Sequence, residues 1–207
     1  MIQDFERSRP KRALLIDASN NFIRNYMVNG ATTSNSVPAG GAVGMINTIR
    51  KAVLTLKPEI VYCIWDGPNG SVQKRKLLKE YKEGRKTRLM VGQSYLFSDE
   101  EKAENNKEWQ RALVCSLIEK LPVCQIITDG FEADDAIGYI CNHKEFFGLK
   151  SSIILSSDKD FYQLVNDKGK TVIFNPIKSQ LITEKTILEE EGVHPFNWLF
   201  YRTVIGS

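Results

Sequence analysis

The stretch RALLID, residues 12–17, is a short apolar run that ends in an acid. Such a run, without alternating polar residues, is typical of a strand buried on both faces of a parallel sheet. The pattern recurs in EIVYCIWDG, residues 59–67, and PVCQIIT and SSIILSSDKD predict a third and a fourth strand. TVIFN and QLIT predict further short strands near an edge. Because helical stretches separate the strands, the sequence predicts an α/β fold whose central sheet is mainly parallel.

Apolar residues at helical spacing predict the helices of this fold. The first helix is expected to have Ser19 as its N-cap. The others are expected at about 42–56, 98–121, 184–190 and 195–204, with one more beginning near Glu132. The helix at 98–121 is expected to bury one apolar face made by Trp109, Leu113, Leu117 and Leu121.

Length and composition limit the class of protein. The chain has 207 residues, 42% of them hydrophobic, which is enough for one domain over residues 1–207 with one excursion. It has no run of about 18 apolar residues that could span a membrane. The N-terminus MIQDFERSRPKR is charged and lacks the apolar core of a secretory signal. We therefore expect a protein with no membrane segment.

Cysteine and histidine usage argues against several kinds of site. The four cysteines are scattered and form no C-x-x-C pair, which indicates packed thiols in a reducing compartment and neither a disulfide framework nor a zinc site. Only two histidines occur, His143 and His194, so a histidine-rich metal site or a histidine-based triad is not expected.

Charge is distributed unevenly along the chain. The formal net charge is +3, from 28 basic and 25 acidic residues. Residues 71–89 carry a net charge of +6, which leaves −3 for the remainder. The eight basic residues of this basic segment are Lys74, Arg75, Lys76, Lys79, Lys82, Arg85, Lys86 and Arg88. The asymmetry indicates an anionic polymer as partner, with a solvated helix face as the alternative.

Three acids lie at the head of one predicted helix. In FEADDAIG, residues 131–138, Glu132, Asp134 and Asp135 occupy the first turn in front of an apolar helical stripe. Free backbone N–H groups and the helix dipole favour negative charge there. However, a helix end offsets only about half a unit charge, so three acids in four residues indicate a missing cation.

Acids follow every one of the four main predicted strands. Because the carboxyl ends of parallel strands lie at one edge of a sheet, we expect these acids to converge there. Without cations such a set would repel strongly or hold protons. An all-oxygen set suits Mg²⁺ or Mn²⁺, and its size predicts two ions, as in phosphodiester hydrolysis. The seven candidate metal ligands are Asp17, Asp66, Glu132, Asp134, Asp135, Asp158 and Asp160.

These motifs resemble those of the 5′ nucleases, which comprise flap endonucleases, bacteriophage 5′–3′ exonucleases and the 5′-nuclease domain of bacterial DNA polymerase I. The resemblance spans about 12–206 and rests on LLIDASNNFIR, WDG, RKLLKEYKEGRK, FEADDAIG and LSSDKDFYQLV. EADD followed by SDKD at this spacing is the most specific part. The resemblance implies a PIN-like fold in which a basic helical arch occupies about residues 68–97.

The resemblance also implies roles for individual residues. The first four of the seven acids match a first metal site, and Asp135, Asp158 and Asp160 match positions nearer a second, with Mn²⁺ able to substitute for Mg²⁺. Lys82 and Arg85 match the arch cations that contact the scissile phosphate and are the candidate catalytic residues. The other candidate nucleic-acid-binding residues are Arg24, Lys74, Arg75, Lys76, Lys79, Tyr81, Lys86 and Arg88; Tyr81 is expected to stack on a base.

The end of the sequence departs from the family pattern. The family continues after VIG with an aspartate-rich G-D-x-S-D-N motif, which opens a helix–turn–helix module that grips duplex DNA, whereas this sequence ends in RTVIGS. The departure leaves a cut chain and a naturally short one as alternatives. It predicts a weaker second metal site and names a separate C-terminal module, or a replication protein, as a partner.

The implied function is that of a two-metal-ion-dependent 5′–3′ exonuclease or flap endonuclease. It would hydrolyse phosphodiester bonds near the 5′ end of branched or nicked DNA, or of RNA primers in an RNA/DNA hybrid, during replication or repair. The implied location is the cytoplasm of a bacterium or a phage-infected host cell.

Three alternatives stay open from the sequence. A PIN-type ribonuclease would be short, but it usually has about four acids and no arch. A catalytically impaired fragment that only binds nucleic acid would bind DNA whether or not Asp134 is replaced. A haloacid-dehalogenase-like phosphatase is disfavoured because LLIDASN lacks the D-x-D that such an enzyme uses.

Overall fold

The computed structural model describes residues 10–70, Lys74 and residues 100–205. The rest of the basic segment, and with it the expected arch, lies outside the described residues. The elements in chain order are β1 Lys11–Asp17, α1 Ala18–Val28, α2 Gly40–Leu56, β2 Ile60–Trp65, α3 Glu100–Ile118, β3 Cys124–Ile127, α4 Ala133–Asn142, β4 Leu149–Leu155, a first 3₁₀ helix Lys159–Leu164, β5 Thr171–Asn175, β6 Gln180–Ile182, α5 Glu184–Glu191, a second 3₁₀ helix Pro195–Asn197 and α6 Trp198–Ile205.

The six strands form one sheet in the order β3-β2-β1-β4-β5-β6. Every neighbouring pair is parallel except β5 and β6, which are antiparallel. The predicted fold class, a mainly parallel sheet flanked by helices, is confirmed. From β1 the chain runs outward to β2 and β3, and it then returns to β4 on the other side of β1. Folds of this kind place their ligand sites at such a reversal, outside the carboxyl ends of the strands.

Strand β1 is buried on both of its faces. Leu14 and Ile16 belong to a hydrophobic cluster with side chains of α1, α2 and α3. Ala13 and Leu15 belong to a second cluster with side chains of α4 and the first 3₁₀ helix. None of the four is exposed to solvent. Apolar residues are therefore needed at every position, which explains why RALLID does not alternate.

Helices α1 and α2 approach each other closely at Gly44. A Cβ atom on Gly44 would lie 2.4 Å from Oδ1 of Asn25, and one on Gly40 would lie 1.7 Å from the carbonyl oxygen of Asn29. Both distances are far shorter than a van der Waals contact. The glycines of AGGAVG therefore allow α1 and α2 to pack closely against each other. Both helices contribute side chains to the hydrophobic cluster that includes residues of β1 and β2.

The N-cap of α1 differs from the prediction. Asp17, not Ser19, caps this helix, and its Oδ1 accepts a hydrogen bond from the backbone N–H of Asn20 at 3.1 Å. The hydroxyl oxygen of Ser19 instead accepts the backbone N–H of Asp66 at 3.1 Å. Both residue types are good caps. Asp17 takes this place because it is the last, extended residue of β1 and the helix begins directly after it, so that Ser19 already lies within the helix.

The buried face of α3 also differs from the prediction. Trp109, Leu117 and Leu121 are 43%, 39% and 44% exposed. The buried face consists of Ala103, Gln110, Val114 and Ile118; of the predicted face, Leu113 is partly buried and packs against the same hydrophobic cluster. Gln110 can be buried because its amide donates to the carbonyl oxygen of Pro38 at 2.9 Å and accepts the N–H of Ala42 at 3.1 Å. An apolar pattern alone misses a buried polar residue whose hydrogen bonds are satisfied.

No helix among the described residues is both long enough and apolar enough to cross a lipid bilayer. All four cysteines are free thiols, as expected. Cys124 is exposed, so the expectation that every cysteine is packed was wrong. It lies on the edge strand β3, which has a neighbour on one side only.

Candidate metal centre

The carboxyl ends of the central strands bring the predicted acids to one edge of the sheet. Asp17 is the last residue of β1, Asp66 follows the last residue of β2, and Asp158 lies three residues after the end of β4. The neighbouring strand β3 leads into the loop before α4, whose first turn holds Glu132, Asp134 and Asp135.

Asp17 is held rigidly at the end of β1. The whole residue is only 7% exposed to solvent. Oδ1 accepts the N–H of Asn20 at 3.1 Å, and Oδ2 accepts the hydroxyl of Ser156 at 3.0 Å. Burial raises the pKa of Asp17 to about 7, and the nearby carboxylates of Asp66 and Asp158 add to the rise. A cation placed here would favour the ionised form and reverse this shift.

Asp66 joins the end of β2 to the start of α4. Its Oδ1 accepts the N–H of Ala133, the first residue of α4, at 2.7 Å. Its carbonyl oxygen accepts a bond from Nη2 of Arg111 at 3.1 Å, and the guanidinium of Arg111 lies 5.5 Å from the ring centroid of Trp65. Sequence reasoning missed Arg111, because no local motif marks a residue of α3 that contacts the end of the preceding strand β2.

The three acids at the head of α4 form a compact cluster, which we call the α4 triad: Glu132, Asp134 and Asp135. One carboxylate oxygen of each lies within 4.8 Å of the others. Glu132 and Asp135 also form a capping box, in which Oδ2 of Asp135 accepts the N–H of Glu132 at 3.1 Å. Burial raises the pKa of Asp134, and Lys74 opposes the rise.

Lys74 contacts all three members of the α4 triad. Its Nζ lies 2.6 Å from Oε2 of Glu132, 3.1 Å from Oδ1 of Asp134 and 3.2 Å from Oδ2 of Asp135. Burial lowers the pKa of Lys74, but the hydrogen bond to Glu132 and the charge of Asp134 outweigh it and raise the pKa above its usual range. Sequence reasoning assigned Lys74 to nucleic acid; the structure places its ammonium on the carboxylates.

Asp158 and Asp160 form a second group around the first 3₁₀ helix. Oδ1 of Asp158 caps that helix by accepting the N–H of Asp160 at 2.9 Å. The N–H of Asp158 donates to the hydroxyl of Ser156 at 3.1 Å, so Ser156 contacts both Asp17 and Asp158. Oδ1 of Asp160 lies 3.5 Å from Nη2 of Arg202 in α6. Sequence reasoning missed Ser156 and Arg202, since both act through contacts distant in the chain.

The seven acids line two adjoining clefts. The first, of about 510 Å³, contains Asp17, Asp66, Glu132, Asp134 and Asp158. The second, of about 740 Å³, contains Asp134, Asp135, Asp158 and Asp160. The two clefts meet at Asp134 and Asp158, which line both.

Cations border the clefts as well. Arg24 lines the first cleft, and its Nε is buried without a hydrogen-bond partner among the described residues. Burial lowers the pKa of Arg24. Lys74 and Arg202 line the second cleft. The other basic candidates and Tyr81 lie outside the described residues: Arg75, Lys76, Lys79, Lys82, Arg85, Lys86 and Arg88.

The donor set fits a hard divalent cation. It consists of carboxylate oxygens with serine and asparagine in the same clefts, and the lining residues include one histidine, His143, whose Nδ1 lies 2.9 Å from the carbonyl oxygen of Tyr139. A set dominated by carboxylates is the chemistry that Mg²⁺ and Mn²⁺ prefer. An ammonium group already bridges the α4 triad, which shows that these oxygens converge on a cation.

A family model described as 5′-3′ exonuclease, N-terminal resolvase-like domain, matches residues 12–193. The chain belongs to this family. The resemblance that the motifs suggested is thereby confirmed at the level of the family. The family model covers an N-terminal domain, and the residues that it matches include all seven acids.

The chain spans only part of the length of the two relatives described next. The thermostable DNA polymerase I of Thermus filiformis is 28% identical over 200 residues, which is 96% of this chain and 21% of the polymerase. A 5′-3′ exonuclease of Aquifex aeolicus is 22% identical over 198 residues, which is 95% of this chain and 62% of that protein.

A solved structure shares the fold of this chain. A flap endonuclease of bacteriophage T5, in a pseudo-enzyme-product complex with DNA and metal ions, superposes with a TM-score of 0.72 at 18% sequence identity. The match covers 95% of this chain and 66% of the phage protein.

Proposed function

We propose that the chain is a divalent-metal-dependent 5′ nuclease that hydrolyses phosphodiester bonds near the 5′ end of branched or nicked DNA. One observation carries this proposal: seven carboxylates from four strand ends line two adjoining clefts that share Asp134 and Asp158. Membership in the 5′-3′ exonuclease family supports it. The names of the relatives, a 5′-3′ exonuclease and a flap endonuclease bound to DNA, support DNA as the substrate.

The carboxylates would hold two ions, Mg²⁺ with Mn²⁺ as a substitute. When bound, these ions supply an activated water and charge stabilisation at the leaving oxygen. Ser156 fixes the orientation of Asp17, and the N–H of Ala133 fixes that of Asp66. Both acids would thus be preorganised before any ion arrives, which lowers the cost of assembling the reactive state.

The chain's own cations would position the DNA backbone. Arg24 is partly buried and lines the first cleft, so its guanidinium could donate charge-assisted hydrogen bonds to a phosphate oxygen that enters there. We also propose the arch roles of Lys82 and Arg85, together with phosphate or base contacts for the rest of the basic segment. Residues 1–207 would act as one catalytic domain, and any replication protein or separate duplex-binding module would be a partner of it.

Cleavage of a defined flap tests the proposal. A duplex with a 5′-labelled single-stranded flap is incubated with the purified chain in Mg²⁺, in Mn²⁺ or in excess EDTA, with a blunt duplex and a matching RNA flap as controls. We expect product near the flap junction with either metal and none with EDTA.

Two outcomes would redirect the proposal. Cleavage of the RNA flap alone would identify a ribonuclease of the PIN type. Folded protein that binds the flap with metal present, but yields no product at any enzyme concentration, would identify a binding protein without nuclease activity.

A further inference from the structure

Lys74 occupies the point where the α4 triad converges. Its ammonium donates to Glu132, whose side chain is 5% exposed, and to Asp134, while the Lys74 side chain itself is only 29% exposed. Nζ contacts one oxygen of each of the three carboxylates, and those three acids are the group whose oxygens lie within 4.8 Å of one another.

A divalent ion and this ammonium would compete for the same oxygens. Mg²⁺ takes carboxylate oxygens at about 2.1 Å, whereas Nζ already lies 2.6 Å from Oε2 of Glu132. An ion coordinated by the triad would stand beside a group of like charge, and that repulsion acts at short range in a partly buried cleft. Three carboxylates against one ammonium leave excess negative charge, so the stronger cation is expected to win.

Residues 67–70, which precede Lys74 by four to seven positions, pack on the loop that leads into the α4 triad. The N–H of Gly67 donates to the hydroxyl of Thr128 at 3.3 Å, and the N–H of Gly130 donates to the carbonyl oxygen of Pro68 at 3.4 Å. A Cβ atom on Gly70 would lie 2.7 Å from the carbonyl oxygen of Phe131, the residue before Glu132.

Lys74 is an intramolecular competitor. It lies four positions after Gly70 in the chain, so its ammonium is tethered close to the α4 triad. A tethered group has a high effective concentration at its target, and it therefore competes more strongly than a free cation would.

We propose that Lys74 is a resident cation of the metal centre, which sets metal affinity by competing with divalent ions for the α4 triad and is released when an ion binds. This inference rests on the proposed function for the identity of the metal centre. Release frees the ammonium at the start of the basic segment, where it can bind a DNA phosphate. Metal loading and the availability of this cation are then two sides of one exchange.

Metal titration tests the exchange without any activity assay. Mn²⁺ binding is measured by calorimetry on the wild-type chain, on Lys74→Met and on Lys178→Met. Methionine keeps the apolar stem without the charge. Lys178 is the matched control, because its ion pair with Glu190, at 2.7 Å, involves none of the seven acids and lies between β5 and β6 on one side and α5 on the other. We expect Lys74→Met to bind Mn²⁺ roughly five- to a hundredfold more tightly, the usual range of coupling between two ligands. Lys178→Met should match the wild type.

Amine labelling of the wild type gives a second readout that needs no variant. A water-soluble acetylating reagent is applied in EDTA or in saturating Mg²⁺, and the extent of acetylation at Lys74 and Lys178 is measured by mass spectrometry. We expect Lys74 to be labelled slowly in EDTA and several-fold faster in Mg²⁺, with Lys178 unchanged.

The outcomes separate this inference from the proposed function. Equal or weaker Mn²⁺ binding by Lys74→Met, or equal labelling of Lys74 in both conditions, would overturn the inference while the nuclease proposal stands. A wild-type chain that binds no Mn²⁺ at all would overturn both.

Discussion

The buried carboxylates of Asp17 and Glu132 and the exposed carboxylate of Asp160 differ in how firmly the fold holds them. Asp17 and Glu132 are 7% and 4% exposed, and backbone N–H groups and Ser156 fix their oxygens. By contrast, the Asp160 side chain is 63% exposed and faces Arg202 at 3.5 Å. Strand ends buried in a sheet give rigid ligands, whereas the first turn of a short 3₁₀ helix leaves a ligand free to rotate. We infer that Asp17 and Glu132 are preformed as metal ligands and that Asp160 adjusts to its ion.

The largest expected effect compares the buried Asp17 with the exposed Asp160. Asp17→Asn should slow flap cleavage by about a thousandfold, because stabilisation of transition-state charge by a metal ion amounts to several kcal/mol. Asp160→Asn should slow it by only about tenfold, since a water can replace an exposed, mobile ligand. Asp129→Asn, an exposed acid in the loop before α4, is the control and should be unaffected. Equal losses in Asp17→Asn and Asp160→Asn would contradict the contrast between a rigid and an adjustable group.

The next effect concerns stability against pH in the metal-free protein. The pKa of Asp17 rises from 3.8 to about 7 on folding. Below pH 3.8 the side chain is protonated in both states and contributes no penalty. As the pH rises from 3.8 to about 7 the unfolded chain ionises first, so the free energy of unfolding falls, by about 4 kcal/mol at most. Above pH 7 the penalty is constant.

Urea unfolding in EDTA at pH 5 and pH 8 measures this slope. The difference between the two pH values should shrink in Asp17→Asn, which has no titrating group, and it should shrink in the wild type when Mg²⁺ is added. The same pH slope in wild type and Asp17→Asn would show that the desolvation of Asp17 does not limit the metal-free fold.

The smallest effect tests Ser156, which contacts both Asp17 and Asp158. Ser156→Ala removes the donor to Asp17 and the acceptor of the Asp158 N–H. Loss of a partner that orients a metal ligand costs about ten- to a hundredfold in activity or metal affinity. Ser157→Ala, whose hydroxyl bonds to Asn20 instead, is the control, and a loss in both variants of similar size would assign the effect to the loop as a whole.

The sheet and the convergence of acids could be predicted because both depend on local pattern. An unbroken apolar run marks a doubly buried strand, and an acid after each run marks the carboxyl edge. Asp17, Asp66 and Asp158 lie as the strand pattern predicted. Contacts between distant parts of the chain could not be predicted in this way. Lys74 was expected on nucleic acid, and the structure places it on Glu132, 58 positions along the chain.

Two expectations about the helices were wrong. The buried face of α3 was misplaced because Gln110 is polar and yet buried, which its bonds to Pro38 and Ala42 allow. Ser19 was expected to cap α1, but β1 ends one residue before the helix and gives that place to Asp17. The buried face of α3 thus depends on partners distant in the chain, whereas the cap of α1 depends on where β1 ends.

The most direct test of the central claim is Mn²⁺ binding by Asp134→Asn, since Asp134 lines both clefts. Calorimetry is run on the wild type, on Asp134→Asn and on Asp129→Asn, with circular dichroism to verify the fold. The account predicts that Asp134→Asn binds Mn²⁺ at least about tenfold more weakly than the wild type, as expected for loss of a charged ligand, while Asp129→Asn binds normally. Wild-type affinity in a folded Asp134→Asn would contradict the assignment of these carboxylates as a metal centre.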